Sequence, residues 1–441
     1  MLDIKFILAN LEKVRASVKD KHAEGAHTDL DLFAKLDEQR RKAQTENDRL
    51  AAEKNKLSKQ IGSIMGQRKK ALGEDAAKLD EQSADLQKQS KELDNQIMQQ
   101  GQAFAEAEVK LDQMRLHIPN VHDDSVPPGQ DASANPVVRE WGTPRNFDFK
   151  PKYHFELGED LGILDTTRGA KVAGSGFYFL RGDGARLERA IVSFCLDEHR
   201  KNGFTEMFPP FFVSEKTALG TGHLPKFADQ MYHAQEDGLF AIPTAEVPLT
   251  SLHRDEVLEE KQLPVYYCAY SACFRREAGA AGLDTRGIQR VHQFNKVEML
   301  KLVTPEKSAE ELESLTNCAE KLLQALGLRY RVITLCRGDT GFSAAKTYDI
   351  EAFSPVTGKW HEVSSCSNFT DYQARRCNLR YKPADGGKPR FVHTLNGSGL
   401  PLPRIQVTIW ESFQQADGSI EIPACLRPYM GGQERIVPVK K

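Results

Sequence analysis

The chain has 441 residues, 40% of them hydrophobic, which is enough for a sizeable core and more than one typical domain needs, so two domains are expected. Its 60 basic and 62 acidic residues leave a formal net charge of -2, which excludes a uniformly basic nucleic-acid binder and confines any RNA contact to one region. The 8 cysteines form no Cys-x-x-Cys pair, and no stretch approaches the roughly 20 apolar residues of a membrane span, so the expectation is a reduced, cytoplasmic chain with no membrane partner.

Residues 29–118 contain almost no proline and are rich in Lys, Glu, Gln, Ala and Leu, the composition of long exposed helices. Leu36, Ala43, Leu50, Leu57 and Ile64 form one heptad series. Leu72, Leu79, Leu86 and Leu93 form a second, continued through Ile97, Phe104, Leu111 and Ile118. Gly62, Gly66 and Gly73 lie between the two and are the expected reversal points, so the segment predicts an antiparallel coiled-coil hairpin whose arms reach roughly 50 Å. A structural spacer would have the same pattern. Lys54, Lys56, Lys59, Arg68, Lys69 and Lys70 gather near the tip, however, where they can meet phosphates, and that favours an RNA-binding arm.

Residues 119–151 are rich in Pro, Asp, Asn and Gly without sustained period and are expected to form a linker. This divides the chain into an arm at 1–118, the linker, and a second domain at 152–441. In that domain Glu206–Phe208, Val265–Tyr270, Tyr330–Ile333 and Ile405–Ile409 read as strands, and Arg186–Asn202 and Glu306–Leu326 as helices. Strands crowd around a few helices without regular alternation, which predicts an α+β domain with a mainly antiparallel sheet.

The chemistry concentrates in Arg275-Arg276-Glu277, a glycine-rich loop, and the returning segment Gly287 to Glu298. On paired strands the period of two makes Arg275 and Glu277 share a face, as do Phe294, Lys296 and Glu298 on the returning strand, so a hairpin brings together charges and a ring suited to an anion, a planar ring and an amine. An isolated Arg-x-Glu is more often a surface ion pair, but the whole string resembles the second signature motif of the class II aminoacyl-tRNA synthetases. The first motif matches the helix Leu187–His199 followed by Gly203 to Phe212, with Pro210 at the position of the dimer-interface proline. The third matches Gly397 to Arg404, with Pro403 where the general pattern commonly has Glu.

The strings Gly220-Thr-Gly-His-Leu-Pro-Lys-Phe227, Pro243-Thr-Ala-Glu246, His361 to Asn368 and His393 to Gly399 resemble the seryl-tRNA synthetases within that class, and the resemblance covers essentially the whole chain. It implies an N-terminal coiled-coil hairpin joined to a class II catalytic domain. The implied reaction activates L-serine with ATP to seryl-adenylate and transfers serine to the 3′ end of tRNA(Ser), and also of tRNA(Sec), with the hairpin holding a long variable arm. Thr244, Ala245, Glu246, Glu298, Asn396 and Ser398 match the serine-binding positions. Arg275, Arg276, Glu277, Val291, Phe294, Glu362, Val363, Ser364, Ser365 and Arg404 match the ATP-binding positions, and Arg275, Glu362 and Arg404 carry the catalytic roles. A homodimer is implied by the first motif.

Two carboxylates suit an ammonium and a hydroxyl, and a guanidinium fork suits a carboxylate beside a phosphate. Magnesium takes few protein ligands, and Glu362 beside the Ser364 and Ser365 hydroxyls is the candidate. His361, Cys366 and Cys377 match no familiar zinc spacing and sit in strand-like sequence, so they are expected as packing residues and no zinc is expected. A pocket that hydrogen-bonds the serine hydroxyl rejects alanine by up to about 10⁴–10⁵, threonine must be excluded by size, and no region remains for an editing domain. Two other functions share parts of the pattern. Ligases that load a carrier protein lack the long arm, and an inactive interaction protein would have lost charges that are all present here.

Overall fold

The computed structural model describes residues 1–277 and 286–438; the glycine-rich loop expected after Glu277 falls outside the described residues. The chain forms two compact units. One consists of Ile4–Arg15 and Ala23–Ile118, and the other of Met1–Asp3, Ala16–His22 and everything from Pro119 onward. Residues 1–3 and 16–22, expected with the arm, therefore cluster with the second unit.

The first unit is dominated by a hairpin of two long helices, α1 (Leu30–Arg68) and α2 (Glu74–His117), and also contains the short helix Ile4–Ala9. Helix α1 starts where the Asp29 carboxylate accepts the backbone N–H groups of Asp31 and Leu32, each at 3.0 Å, which satisfies donors that the first turn leaves unpaired. At 1.5 Å per residue, 39 and 44 residues span about 60 Å, somewhat more than the sequence suggests. The heptad seam is buried as its spacing dictates: Leu36, Leu50 and Leu57 of α1 face Leu93 and Leu111 of α2 along the interior. The reversal differs from expectation. Helix α1 runs through Gly62 and Gly66, because a solvent-facing glycine costs only about 1 kcal/mol while the turns on either side keep propagating. The chain turns at Gly73, whose φ of +63° suits glycine, and Leu72 stays 89% exposed outside the seam.

The second unit is built on an eight-stranded sheet. Its strands are β1 (Val137–Trp141), β2 (Thr205–Met207), β3 (Val265–Phe274), β4 (Gln293–Val303), β5 (Tyr330–Thr334), β6 (Lys346–Phe353), β7 (Trp360–Asn368) and β8 (His393–Pro401). Their order across the sheet is β1-β5-β6-β7-β8-β4-β3-β2, and all pairs are antiparallel except β2 with β3. The edge strand β1 comes from within the stretch expected as linker, where Val137, Val138 and Trp141 supply the β-branched and aromatic residues that a pleated edge accepts.

Helices α3 (His154–Asp160), α4 (Asp183–Lys201), α5 (Glu246–Thr250), α6 (Ser308–Leu326), α7 (Tyr372–Cys377) and α8 (Leu402–Phe413) pack around this sheet. Helix α8 corrects one expectation, since Ile405–Ile409 reads as a strand by its alternation. The polar members of that alternation are buried as well: Gln406 donates to the Glu188 carboxylate, and the Thr408 hydroxyl donates to the Arg404 carbonyl at 2.8 Å. Period-two hydrophobicity arose here because a helix is enclosed on nearly every side, and enclosure erases the helical stripe.

Trp410 of α8 is fully buried in the main core, and its indole N–H has no partner among the described residues. Trp410→Ala is expected to destabilise the protein by about 3–5 kcal/mol through the cavity it opens, and Trp410→Phe by much less, because it removes an unpaired donor along with the smaller volume. Calorimetric unfolding of both variants checks the order; equal losses would contradict it.

Candidate active site

Strand β4 lies between β3 and β8, and its alternation sends Phe294, Lys296 and Glu298 to one face while Val297 and Met299 enter the core. Glu298 is fully buried, in register with Ala269 on one side and Ser398 on the other. A buried carboxylate needs partners, and three are present. The Lys296 ammonium pairs with it, the Thr244 hydroxyl donates to its Oε2 at 3.0 Å, and Asn396 Nδ2 donates to its Oε1 at 3.0 Å. Lys296 Nζ also donates to Thr244 Oγ1 at 2.8 Å.

The second carboxylate, Glu246, opens the short helix α5, and its backbone N–H donates to Thr244 Oγ1 at 3.2 Å. Asn396 Nδ2 reaches its Oε2 at 2.9 Å, so one amide group bridges both acids. Burial, and then the charge of Glu298, pushes the Glu246 carboxyl up to about 7, opposed by Gln373, Lys296 and Arg275. Thr244, Ala245, Glu246, Glu298 and Asn396 thus converge, while Ser398 lines the neighbouring cavity.

That cavity is lined by Arg275, Glu277, Val291, Phe294, Lys296, Glu362, Ser398 and Arg404 among others. Arg275 continues the hairpin just past β3, its N–H donating to the His292 carbonyl at 2.9 Å. Its guanidinium lies 5.1 Å over the Phe294 ring, and Nε donates to the Pro243 carbonyl at 3.3 Å. Arg404, in the first turn of α8, donates to the Glu362 carbonyl at 2.9 Å and lies 3.4 Å from its carboxylate. Glu277 has a φ of +46° and pairs with Arg290 at 3.3 Å.

Other predicted residues stand elsewhere. Arg276 lies 5.4 Å over the Tyr232 ring and is not in the cavity wall. Val363 and Ser364 are buried, the Ser364 hydroxyl donating to the Ser398 carbonyl at 2.7 Å. The reason is a bulge at Val363, where β7 slips one residue against β6, so that Glu351 faces Glu362 while Ile350 faces Ser364. Ser365, not Ser364, is thereby the hydroxyl that joins Glu362, through Asp349 of β6, with which Ser365 is in register and hydrogen-bonded.

Asp349 escaped the sequence reading. Burial, and then the Glu362 charge, holds its carboxyl well above the ordinary carboxylate range, and its Oδ1 is buried without a partner among the described residues. An orphaned carboxylate oxygen beside a second carboxylate and a hydroxyl is a donor set that fits a hard, oxygen-seeking cation. His361, Cys366 and Cys377 do not converge: they face Gln289, Ser364 and Ser251 respectively, and Cys377 ends helix α7 and lies in no strand.

Lys296 was also missed as a functional group, although the period-two string Phe294-x-Lys296-x-Glu298 signals its face. Of the six basic residues near the hairpin tip, Lys54 pairs with Asp94 and Arg68 with Asp80 at 2.7 Å, bonds that tie α1 to α2. Lys56, Lys59, Lys69 and Lys70 are exposed. Pro210 is exposed too, flanked by Phe208 at 81% and Phe212 at 50% exposure.

Residues 1–122 match the family model described as the seryl-tRNA synthetase N-terminal domain, and residues 230–413 match the class II tRNA synthetase core domain of the G, H, P, S and T enzymes. A serine–tRNA ligase of Carboxydothermus hydrogenoformans is 51% identical over 98% of each chain, and one of Halothermothrix orenii is 55% identical over 98% of this chain and 99% of its own. Among solved structures, the seryl-tRNA synthetase of Pyrococcus horikoshii complexed with ATP is similar over 100% of both chains, with a TM-score of 0.89 and 39% identity.

Because Asn396 bridges two buried acids, Asn396→Ala leaves them facing each other, at an expected cost of about 1–3 kcal/mol. Glu246 has a folded pKa above its unfolded value, so the folded state holds the extra proton and stability falls as pH rises from the ordinary carboxyl range to about 7. The variant is expected to lose more thermal stability at pH 8 than at pH 5, and equal losses at both would rule out the repulsion.

Proposed function

The chain belongs to the seryl-tRNA synthetase family, and from that premise we propose how its own residues divide the work. It activates serine with ATP and transfers the serine to tRNA. The proposed serine site is the carboxylate pair bridged by Asn396, and this is the observation that carries the residue assignment. Glu246 and Glu298 neutralise the substrate ammonium and accept from the serine hydroxyl, while Thr244 and Ala245 shape the wall on the α5 side and Ser398 closes the side toward the nucleotide. Lys296 pairs with the buried Glu298 carboxylate and holds it in place through Thr244.

ATP is proposed to occupy the adjoining cavity, adenine on Phe294 beside Val291, with Arg404 at the distal phosphates and Glu277 bordering the nucleotide, while Arg276, stacked on Tyr232, stands outside it. The serine carboxylate attacks the α-phosphorus in line; the P–O bond to pyrophosphate breaks and seryl-adenylate forms. Arg275 faces both reactants, and its planar fork can hold the carboxylate while neutralising charge that grows on the phosphoryl oxygens. No side chain has to remove a proton, because the attacking carboxylate is already ionised. Glu362, Ser365 and Asp349 would hold a magnesium ion, which when bound screens the phosphate charges. Val363 and Ser364 support that cluster from the core side. In the second step the hydroxyl of the terminal ribose attacks the acyl carbon and AMP leaves.

The hairpin is proposed to grip the long variable arm of tRNA(Ser), and of tRNA(Sec), by shape and phosphate contacts through Lys56, Lys59, Lys69 and Lys70, with Lys54 and Arg68 bracing the tip. The exposed apolar surface at Phe208, Pro210 and Phe212 supports a homodimer across the first motif. A cytoplasmic location accords with 8 cysteines that are all unpaired.

Serine-dependent ATP–pyrophosphate exchange by the purified chain, run beside alanine, threonine and glycine, tests the activation step, and absence of exchange with serine would refute it. Arg275→Ala is expected to lower kcat for that exchange by about 10²–10³, the range for losing one preorganised charge-stabilising donor. Full activity in the variant would remove Arg275 from the mechanism.

Replacing Lys56, Lys59, Lys69 and Lys70 by Glu is expected to leave exchange unchanged and to weaken tRNA charging by at least about tenfold, with a shallower salt dependence. Equal loss of both activities would contradict the division between arm and catalytic unit.

A further inference from the structure

We propose that Gln373, on helix α7 and outside every motif that carries the chemistry, is a positioning residue that holds the Glu246 carboxylate as an acceptor for the substrate ammonium and so sets the affinity for serine. The proposal rests on the assignment of Glu246 to the serine site. Gln373 is fully buried and its amide is committed on both sides. Nε2 donates to Glu246 Oε1 at 2.7 Å and to the Thr221 carbonyl at 3.2 Å, and Oε1 accepts from the Thr394 hydroxyl at 2.7 Å.

The orientation of this amide is forced. An ionised carboxylate and a backbone carbonyl only accept, so the NH₂ group must face them, which leaves the amide oxygen for Thr394. A flipped amide would set oxygen against two oxygens. Glu246 is consequently gripped from two directions, Oε1 by Gln373 and Oε2 by Asn396. Each oxygen keeps a second acceptor direction, which is the capacity an incoming ammonium needs.

The same helix carries Arg376, which donates to the Leu219 and Leu224 carbonyls at 3.1 and 3.2 Å. Helix α7 therefore ties together the Thr221 segment, Glu246 and, through Thr394, strand β8. The charged groups facing Glu246 are Glu298 and Lys296 of β4 and Arg275 beyond β3, whereas α7 and β8 contribute the neutral amides Gln373 and Asn396. Gln373 thus opposes Glu298 without adding a charge that would compete with the substrate ammonium.

The test measures ATP–pyrophosphate exchange for Gln373→Leu, Gln373→Glu and Thr394→Val from pH 6 to pH 9. Gln373→Leu is expected to raise the serine KM by about 10- to 100-fold with the ATP KM within about twofold of the parent, since one hydrogen bond to a charged group is lost. It also removes a bond that favours ionised Glu246, so its serine KM should improve as pH rises past the parent's limb. Gln373→Glu should behave oppositely: protonated, it can still donate to Glu246, and ionised, it repels it, so its serine KM worsens with pH. Thr394→Val frees the amide to turn and should give a smaller rise in serine KM alone.

Serine KM values unchanged in all three variants, parallel rises in both KM values, or the same pH trend for the leucine and glutamate variants would overturn the proposal. Thermal unfolding of each variant identifies any that does not fold, and the remaining ones carry the same test. Failure of the parent chain to exchange with serine would instead sink the assignment of the serine site, which separates the two outcomes.

Discussion

Everything in the catalytic unit answers to one electrostatic problem: two buried carboxylates, Glu246 and Glu298, placed side by side. A buried carboxylate without partners is costly, and for Glu246 burial and then the neighbouring Glu298 charge push the carboxyl up. The surroundings supply both acids with hydrogen-bond and charge partners. Lys296 neutralises Glu298, Asn396 bridges both, Thr244 relays between Lys296 and Glu298, and Gln373 grips the far side of Glu246.

The sheet explains how such a site can be assembled from distant sequence. Strands β3, β4 and β8 are adjacent, so Arg275, Glu298 and Ser398 come within reach of one another because antiparallel register sets them there. Strand β7 adds Glu362, and helix α8 returns Arg404 to the same cavity. Rigid, hydrogen-bonded strands suit a reaction whose main demand is alignment of a carboxylate with a phosphorus atom. The bulge at Val363 is part of this design, because it moves Glu362 out of strict alternation and puts it beside Asp349 and Ser365.

The hairpin obeys a different logic. Its core is a narrow seam of Leu36, Leu50, Leu57, Leu93 and Leu111, and two of its basic residues are spent on interhelical pairs, Lys54 with Asp94 and Arg68 with Asp80. These pairs are exposed and individually weak, so they orient the tip more than they stabilise it. The remaining lysines project into solvent, which is where phosphates can be met.

Much was legible from the amino acids alone, for a physical reason in each case. Heptad spacing determined the hairpin, because burying Leu50 against Leu93 requires that period, and period-two spacing put Phe294, Lys296 and Glu298 on one face. The signature strings located Arg275, Glu246, Glu362 and Arg404, because charged residues at fixed spacing stand out in a sequence. Tertiary structure decided the rest. Helix α8 was hidden by enclosure on nearly every side, the helical run through Gly62 and Gly66 by continued propagation past exposed glycines, and the placement of Ser365 beside Asp349 by a one-residue slip between strands. Gln373 was invisible because it bears no charge and belongs to no repeat; only the fold brings its amide to Glu246.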